Sequence, residues 1–173
     1  YSFMMPDSEV TVNAAFLNAA DVPVSFADVS ADDYYYEAVL WAVSQGITLG
    51  TDDAHFSPDA DCARGQLVTF LWRAAGSPEP KGTGSFADVP ADSYYTKAGA
   101  WAVENGITTG VGNGHFDPTG TCTRAQIVTF LWRAAGSPEP TTTRNPFRDV
   151  NAVTHSSYYK AILWASQKGI TSG

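Results

Sequence analysis

Apolar and polar positions along this chain alternate with a helical period, and the whole pattern returns 60 positions later. Tyr35, Ala38, Val39, Ala42 and Val43 fall at spacings of three and four and lead to Gly46, placed where a left-handed C-terminal cap is wanted; this predicts a helix. The same pattern runs from Tyr95 to Gly106 and again from Tyr158 to Gly169. A second helix is predicted by the stripe Leu67, Phe70, Leu71 and Ala74, which Val68 and Trp72 widen enough to meet more than one neighbour. Gly76-Ser-Pro-Glu-Pro80 and Gly136-Ser-Pro-Glu-Pro140 end these helices, because proline lacks an amide hydrogen and pushes the residue before it out of helical conformation. Between the two helices of each copy lie the turn-rich loops Gly50–Pro58 and Gly110–Pro118, which short pairing strands are expected to flank. The N-terminal stretch breaks the helical period. There Val10, Val12 and Ala14 alternate with more polar neighbours, which predicts a short β segment over residues 1–24, the tail of a preceding β-rich unit or a linker.

The repeat is close to literal. Val68–Pro80 is identical to Val128–Pro140, and Phe26-Ala-Asp-Val29, Trp41, His55-Phe56 and Cys62 are answered by Phe86-Ala-Asp-Val89, Trp101, His115-Phe116 and Cys122. A third copy opens at Phe147-Arg-Asp-Val150, carries Tyr158-Tyr159, Trp164 and Gly169-Ile-Thr171, and stops in mid-module, so a piece of a longer polypeptide is expected. The modules are therefore placed at 26–85, 86–146 and, in part, 147–173. The start of the second helix differs between copies. Thr123-Arg-Ala-Gln126 is a capping box, whereas Ala63-Arg-Gly-Gln66 lacks the cap hydroxyl and gains a glycine, a loss of about 1 kcal/mol unless Asp61 caps instead.

A chain of 173 residues at 44% hydrophobic content can bury one core, which favours a single body over separate domains. Its net charge of −8 argues against nucleic acid, which needs a dense basic face, and no apolar run approaches the roughly 18 residues of a membrane span. Cys62 and Cys122 occupy matching positions and allow either a bridge or two buried thiols. Thiols are favoured, because equivalent points on successive repeats tend to lie farther apart than the roughly 5.5 Å a bridge needs. His55 and His115 have no companion ligands at zinc-like spacing, and Asp52, Asp53, Asp59 and Asp61 do not follow the calcium-loop order, so no metal is expected. Asp28, Asp88 and Asp149 are expected to cap turns rather than to bind ligands. No nucleophile elbow, phosphate loop or dinucleotide fingerprint is present, so neither catalytic residues nor a cofactor are assigned; a fragment of a glycan-processing enzyme is the weakest alternative.

The Phe-x-Asp-Val start, the aromatic pair before an Ala-x-x-Trp-Ala helix, the Gly-Ile-Thr-x-Gly turn, the Phe-x-Pro loop and a helix start of the Thr-Arg-Ala-Glu type share one order in two full copies and the start of a third, from Phe26 to Gly173. Together they resemble the S-layer homology domain. The resemblance implies a mainly α fold: tandem modules forming a pseudo-threefold helical bundle with grooves between modules. It also implies a secreted protein of the cell wall or S-layer, anchored without a covalent bond to a secondary cell wall polysaccharide, commonly a pyruvylated one. The family's motif arginine maps onto Arg64 and Arg124, with Gln66 and Gln126 standing where the family often has glutamate. A guanidinium in the first turn of a helix suits a ketal carboxylate, since the fork of donors and the helix dipole act together. Gly110, Gly112 and Gly114 are candidates to bring backbone amides to the same ligand, and Trp41 and Trp101 to stack on sugar rings, although their place beside helix-stripe residues favours core packing. The alternative function is self-association through the incomplete third module, motivated by the apolar face of Ala161, Ile162, Trp164 and Ala165.

Overall fold

The computed structural model describes residues 26–82 and 86–173, which form five helices: α1 (Tyr36–Ser44), α2 (Arg64–Ala74), α3 (Thr96–Glu104), α4 (Arg124–Ala134) and α5 (Tyr159–Gln167). The expected β segment at 1–24 lies outside the described residues. The strands expected beside the loops are reduced, among the described residues, to two isolated antiparallel bridges, Ala63 with Thr121 and Gly112 with His115. The glycine after each first helix ends it as its position implies. Gly46 has φ +66°, its amide donates to Val43 O, and Ile47 N donates to Ala42 O at 2.8 Å, which satisfies carbonyls the helix leaves open. In the third copy the helix starts where the repeat places it, Tyr158 standing at the N-cap as Tyr35 and Tyr95 do in theirs.

Helices pack across modules. The second helix of one copy lies on the first helix of the next, α2 on α3 and α4 on α5, while α2 also touches α4. Close approach on α3 is possible because Ala98 and Ala102 are small and fully covered, and they meet Leu67, Val68, Ile107, Phe116 and Phe130 in the core of the first junction. The second junction buries Val128, Ala161, Ile162, Trp164 and Ala165. Among the described residues α1 packs on no other helix, so they do not close a three-membered ring.

Polar bonds repeat with the modules and fix the links. Arg73 Nη1 donates to Ile47 O at 3.2 Å, and Arg133 Nη1 donates to Ile107 O at 3.1 Å. Trp72 and Trp132 donate their indole N–H to Pro78 O and Pro138 O, each at 2.8 Å, holding the proline links against the helices they follow. Each link then reaches the next module through an exposed ion pair, Glu79 with Lys97 at 2.5 Å and Glu139 with Lys160 at 2.6 Å.

Candidate functional site

The two motif arginines, alike in local sequence, stand in opposite environments. At the first junction Asp88 grips the loop of its own module: Phe116 N donates to its Oδ1 at 2.8 Å and Asp117 N to its Oδ2 at 2.7 Å, although Asp117 sits at φ +58°. Burial pushes the Asp88 carboxyl up, but those two amides outweigh it and hold it below its ordinary value. Asp28 does the same for Phe56 and Ser57, whose amides lower its pKa, and the expectation that these aspartates serve turns is met at both positions. Phe116 is thereby delivered into the junction, where it is fully buried. Arg64 closes over it. Its Nε donates to Phe116 O at 2.8 Å, and its guanidinium lies 5.0 Å and 5.3 Å from the ring centres of Phe116 and Phe130. Arg64 is 4% exposed. The structure places Arg64 in the module junction, buried and with its Nε bonded to the neighbouring module, and not in the α4 groove.

The loop of module 2 also caps α2. Ala63 has no side-chain oxygen to offer, and Asp61 does not cap; instead Arg64 N donates to Gly120 O at 2.9 Å and Gly65 N to Pro118 O at 2.8 Å. Only half of the capping box survives in this copy, Ala63 N to Gln66 Oε1 at 2.8 Å. Gly65, expected to weaken the helix, sits in a tight place: a Cβ there would lie 3.0 Å from the Tyr95 ring and 3.1 Å from Pro118 O, so those neighbours would have to give.

At the second junction α4 begins with the complete box, Thr123 N to Gln126 Oε1 at 2.8 Å and Gln126 N to Thr123 Oγ1 at 3.3 Å. No carbonyl among the described residues takes the amides of Arg124 or Ala125. A groove of about 560 Å³ lies against this helix start, lined among others by Arg124, Phe147, Asp149, Tyr158, Thr171 and Gly173. Arg124 is exposed, and Nη2 donates to Thr171 Oγ1 at 3.2 Å, a bond that steadies the guanidinium while leaving other donors available. The remaining wall is apolar, formed by Val128, Leu131, Val150 and Ile162. A cation, open helix amides, a carboxylate and aromatic faces in one cleft suit a ligand with an anionic end and a hydroxylated ring.

The other candidates are not brought to this groove. Gly110, Gly112 and Gly114 shape the module 2 loop instead. Gly110 N donates to Thr108 Oγ1, a Cβ on Gly110 would collide with His115 O, His115 N donates to Gly112 O, and Ala87 N donates to Gly114 O. Trp41, Trp101 and Trp164 are equivalent residues whose exposure falls along the chain: Trp41 is 55% exposed, Trp101 is half-buried against the first core, and Trp164 is 8% exposed. Core packing thus holds for Trp101 but not for Trp41. Residues that sequence reasoning missed are Phe147, Tyr158, Thr171 and Gly173, together with the placement of Asp149 in a cleft. Their signal was present in the repeat, since Phe86, Tyr95 and Gly110 mark the same places one module earlier.

Cys62 and Cys122 carry free thiols, as favoured, but they do not lie far apart: Cys122 N donates to Cys62 O at 3.0 Å. Among the described residues no group of three or more histidine, cysteine or acidic residues able to hold a metal occurs, and no helix is long and apolar enough to cross a membrane.

Comparison with known proteins finds a match to the S-layer homology domain over residues 25–68 and 85–128. The chain is 34% identical over 123 residues to a cell surface protein of Thermoanaerobacter kivui, covering 68% of this chain and 16% of that protein. It is 33% identical over 126 residues to the surface-layer 125 kDa protein of Lysinibacillus sphaericus, covering 70% and 11%. An endoglucanase of Bacillus sp. (strain KSM-635) is 25% identical over 179 residues, covering 99% of this chain and 18% of that protein. The chain thus spans less than a fifth of the length of these relatives.

Proposed function

The chain belongs to the S-layer homology domain family, and from that premise we propose that it holds a surface protein on the bacterial cell wall by binding wall polysaccharide without a covalent bond. Two relatives are named as cell-surface and surface-layer proteins, which supports the location. The third is named as an endoglucanase, which fits a module that serves parent proteins of differing activity. The observation that carries the binding mode is Arg124, exposed at the mouth of the α4 groove beside amides that no described carbonyl occupies.

The ligand is an acidic wall glycan, with a pyruvate ketal as the fitting group. Its carboxylate takes the Arg124 fork and the helix start, where each charge-assisted contact contributes about 1.5–3 kcal/mol when shielded from water. In this reading Asp149, which lines the groove, accepts sugar hydroxyls, and its neighbours in the lining, Tyr158 and Phe147, cover a ring face. The net charge of −8 does not prevent this, because salt screens distant repulsion over about 8 Å. The module binds and does not catalyse. Pull-down with purified wall sacculi tests the assignment: the native chain is retained, Arg124→Ala is lost to the supernatant, and undiminished retention of Arg124→Ala would remove the proposed mechanism.

A second function is favoured by one specific observation. Val128, Leu131, Val150 and Ile162 give the groove an apolar wall that self-association through the third module would cover. Sedimentation over a concentration range separates the two, a constant monomer mass excluding self-association.

A further inference from the structure

Two segments that precede equivalent helices, residues 62–64 before α2 and 120–122 before α4, run antiparallel at the first junction. Cys122 N donates to Cys62 O at 3.0 Å, Ala63 bridges Thr121, and Arg64 N donates to Gly120 O at 2.9 Å. Residue 62 therefore faces 122, 63 faces 121 and 64 faces 120. Among these pairs only the first opposes a residue to its own repeat equivalent, since 62 and 122 are the pair separated by the repeat length of 60. Cysteine occupies both places. Residues directly opposed across antiparallel segments have α-carbons about 4.5–5.5 Å apart and side chains on one face, within the range found in disulfides. Both side chains do share a face: Cys122 belongs to the first core and Cys62 packs against that core. Cys122 is 8% exposed, while Cys62 is only half-buried and gives a reagent its entry.

We propose that Cys62 and Cys122 are a disulfide-forming pair that staples module 1 to module 2 when a low-molecular-weight disulfide is present as oxidant. The Cys62 thiolate attacks glutathione disulfide, forming a mixed disulfide and expelling one glutathione thiolate. Cys122 then gives up its proton, and its thiolate attacks the Cys62 sulfur and expels the second glutathione thiolate. Two protein thiols are oxidised and one glutathione disulfide is reduced to two glutathione thiols. The bond would tie together the two loops that hold Phe116 and cap α2, so the staple acts on the junction Arg64 closes. Burial raises the pKa of both thiols, so closure is best followed in mildly alkaline buffer.

The whole chain, dilute and at about pH 8.5, is incubated with glutathione disulfide, acid-quenched and measured by intact mass and by thiol count after denaturation. The expected result is a monomer lighter by the two hydrogens removed, with no titratable thiol and one cross-linked peptide pair joining Cys62 to Cys122. Its Tm should exceed that of the reduced chain by about 5 °C or more, because the bond closes a long loop in the unfolded state. Cys122→Ser should stop at a stable glutathione adduct on Cys62. Two titratable thiols after incubation, a lasting glutathione adduct on the native chain, or disulfide-linked dimers in place of the lighter monomer would each overturn the proposal. None of these outcomes depends on what the α4 groove binds.

Discussion

Replacing Arg64 by alanine should unsettle the fold, while the same change at Arg124 should leave it nearly untouched. Arg64→Ala removes a charge-assisted bond to Phe116 O at 2.8 Å, which contributes about 1.5–3 kcal/mol, and strands that carbonyl beside a core aromatic. It also removes two cation–π contacts at 5.0 Å and 5.3 Å, each about 0.5–1 kcal/mol, and leaves a hole where the side chain was 96% covered, its exposure being 4%. Relief from holding a cation out of water offsets part of this, so the net loss is about 3 kcal/mol. For a chain of this size that lowers Tm by about 6–12 °C. Arg124 is exposed and among the described residues its side chain bonds only Thr171 Oγ1, at 3.2 Å, so Arg124→Ala should shift Tm by about 2 °C at most. Thermal melts followed by circular dichroism compare the three proteins directly. Equal shifts for the two variants, or an Arg64→Ala melt within about 1 °C of the native chain, would refute the structural role given to Arg64.

Other outcomes follow from local geometry. Thr123→Ala breaks one arm of the α4 capping box and should lower stability by about 1 kcal/mol in denaturant titration; no change would mean that the box is redundant. Gly65→Ala gains helix propensity of about 1 kcal/mol but drives a Cβ to within 3.1 Å of Pro118 O, so a net loss of about 1 kcal/mol is expected, and a more stable variant would show that the loop yields. Asp28 and Asp88 have lowered pKa values, so their contribution is present above the ordinary value of 3.8 and is lost as pH falls through the lower folded values; the double variant Asp28→Asn, Asp88→Asn should flatten the acid limb of Tm against pH. His55 works in the other direction. The hydrogen bond its Nδ1 donates to Asp52 Oδ1 at 2.9 Å raises its pKa, so its contribution is full below about 6.5 and fades as pH rises through the raised value, a slope His55→Gln should remove.

The helices were legible because their apolar spacing is dictated by a face that must be buried, and the same face recurs at Val39, Ala98 and Ile162. What separated Arg64 from Arg124 was not legible in the motif, since the two are flanked by nearly the same residues. What covers Arg64 is Phe116, 52 positions along the chain, a distance at which local pattern carries no information. One hint was available: glycine at 65 against alanine at 125 marks where the Tyr95 ring and a loop carbonyl press against the helix. The loop glycines were misassigned because a positive φ suits a tight turn as well as a ligand cradle, and only the turn partners decide. Strands failed to form beside the loops because their residues spend amides on aspartate side chains, as Phe56 and Phe116 do, rather than on a ladder. The closeness of Cys62 and Cys122 was not legible, because it depends on the segments before α2 and α4 meeting antiparallel, so that position 62 opposes its own repeat equivalent.

Calorimetric titration of isolated wall polysaccharide, before and after chemical removal of its pyruvate ketals, into the native chain and into Arg124→Ala is the most direct measurement. Saturable binding by the native chain to the ketal-bearing polymer alone, lost by at least tenfold in Arg124→Ala, is the result the groove predicts. Equal affinity of both proteins for that polymer, or undiminished native binding once the ketals are gone, would contradict it.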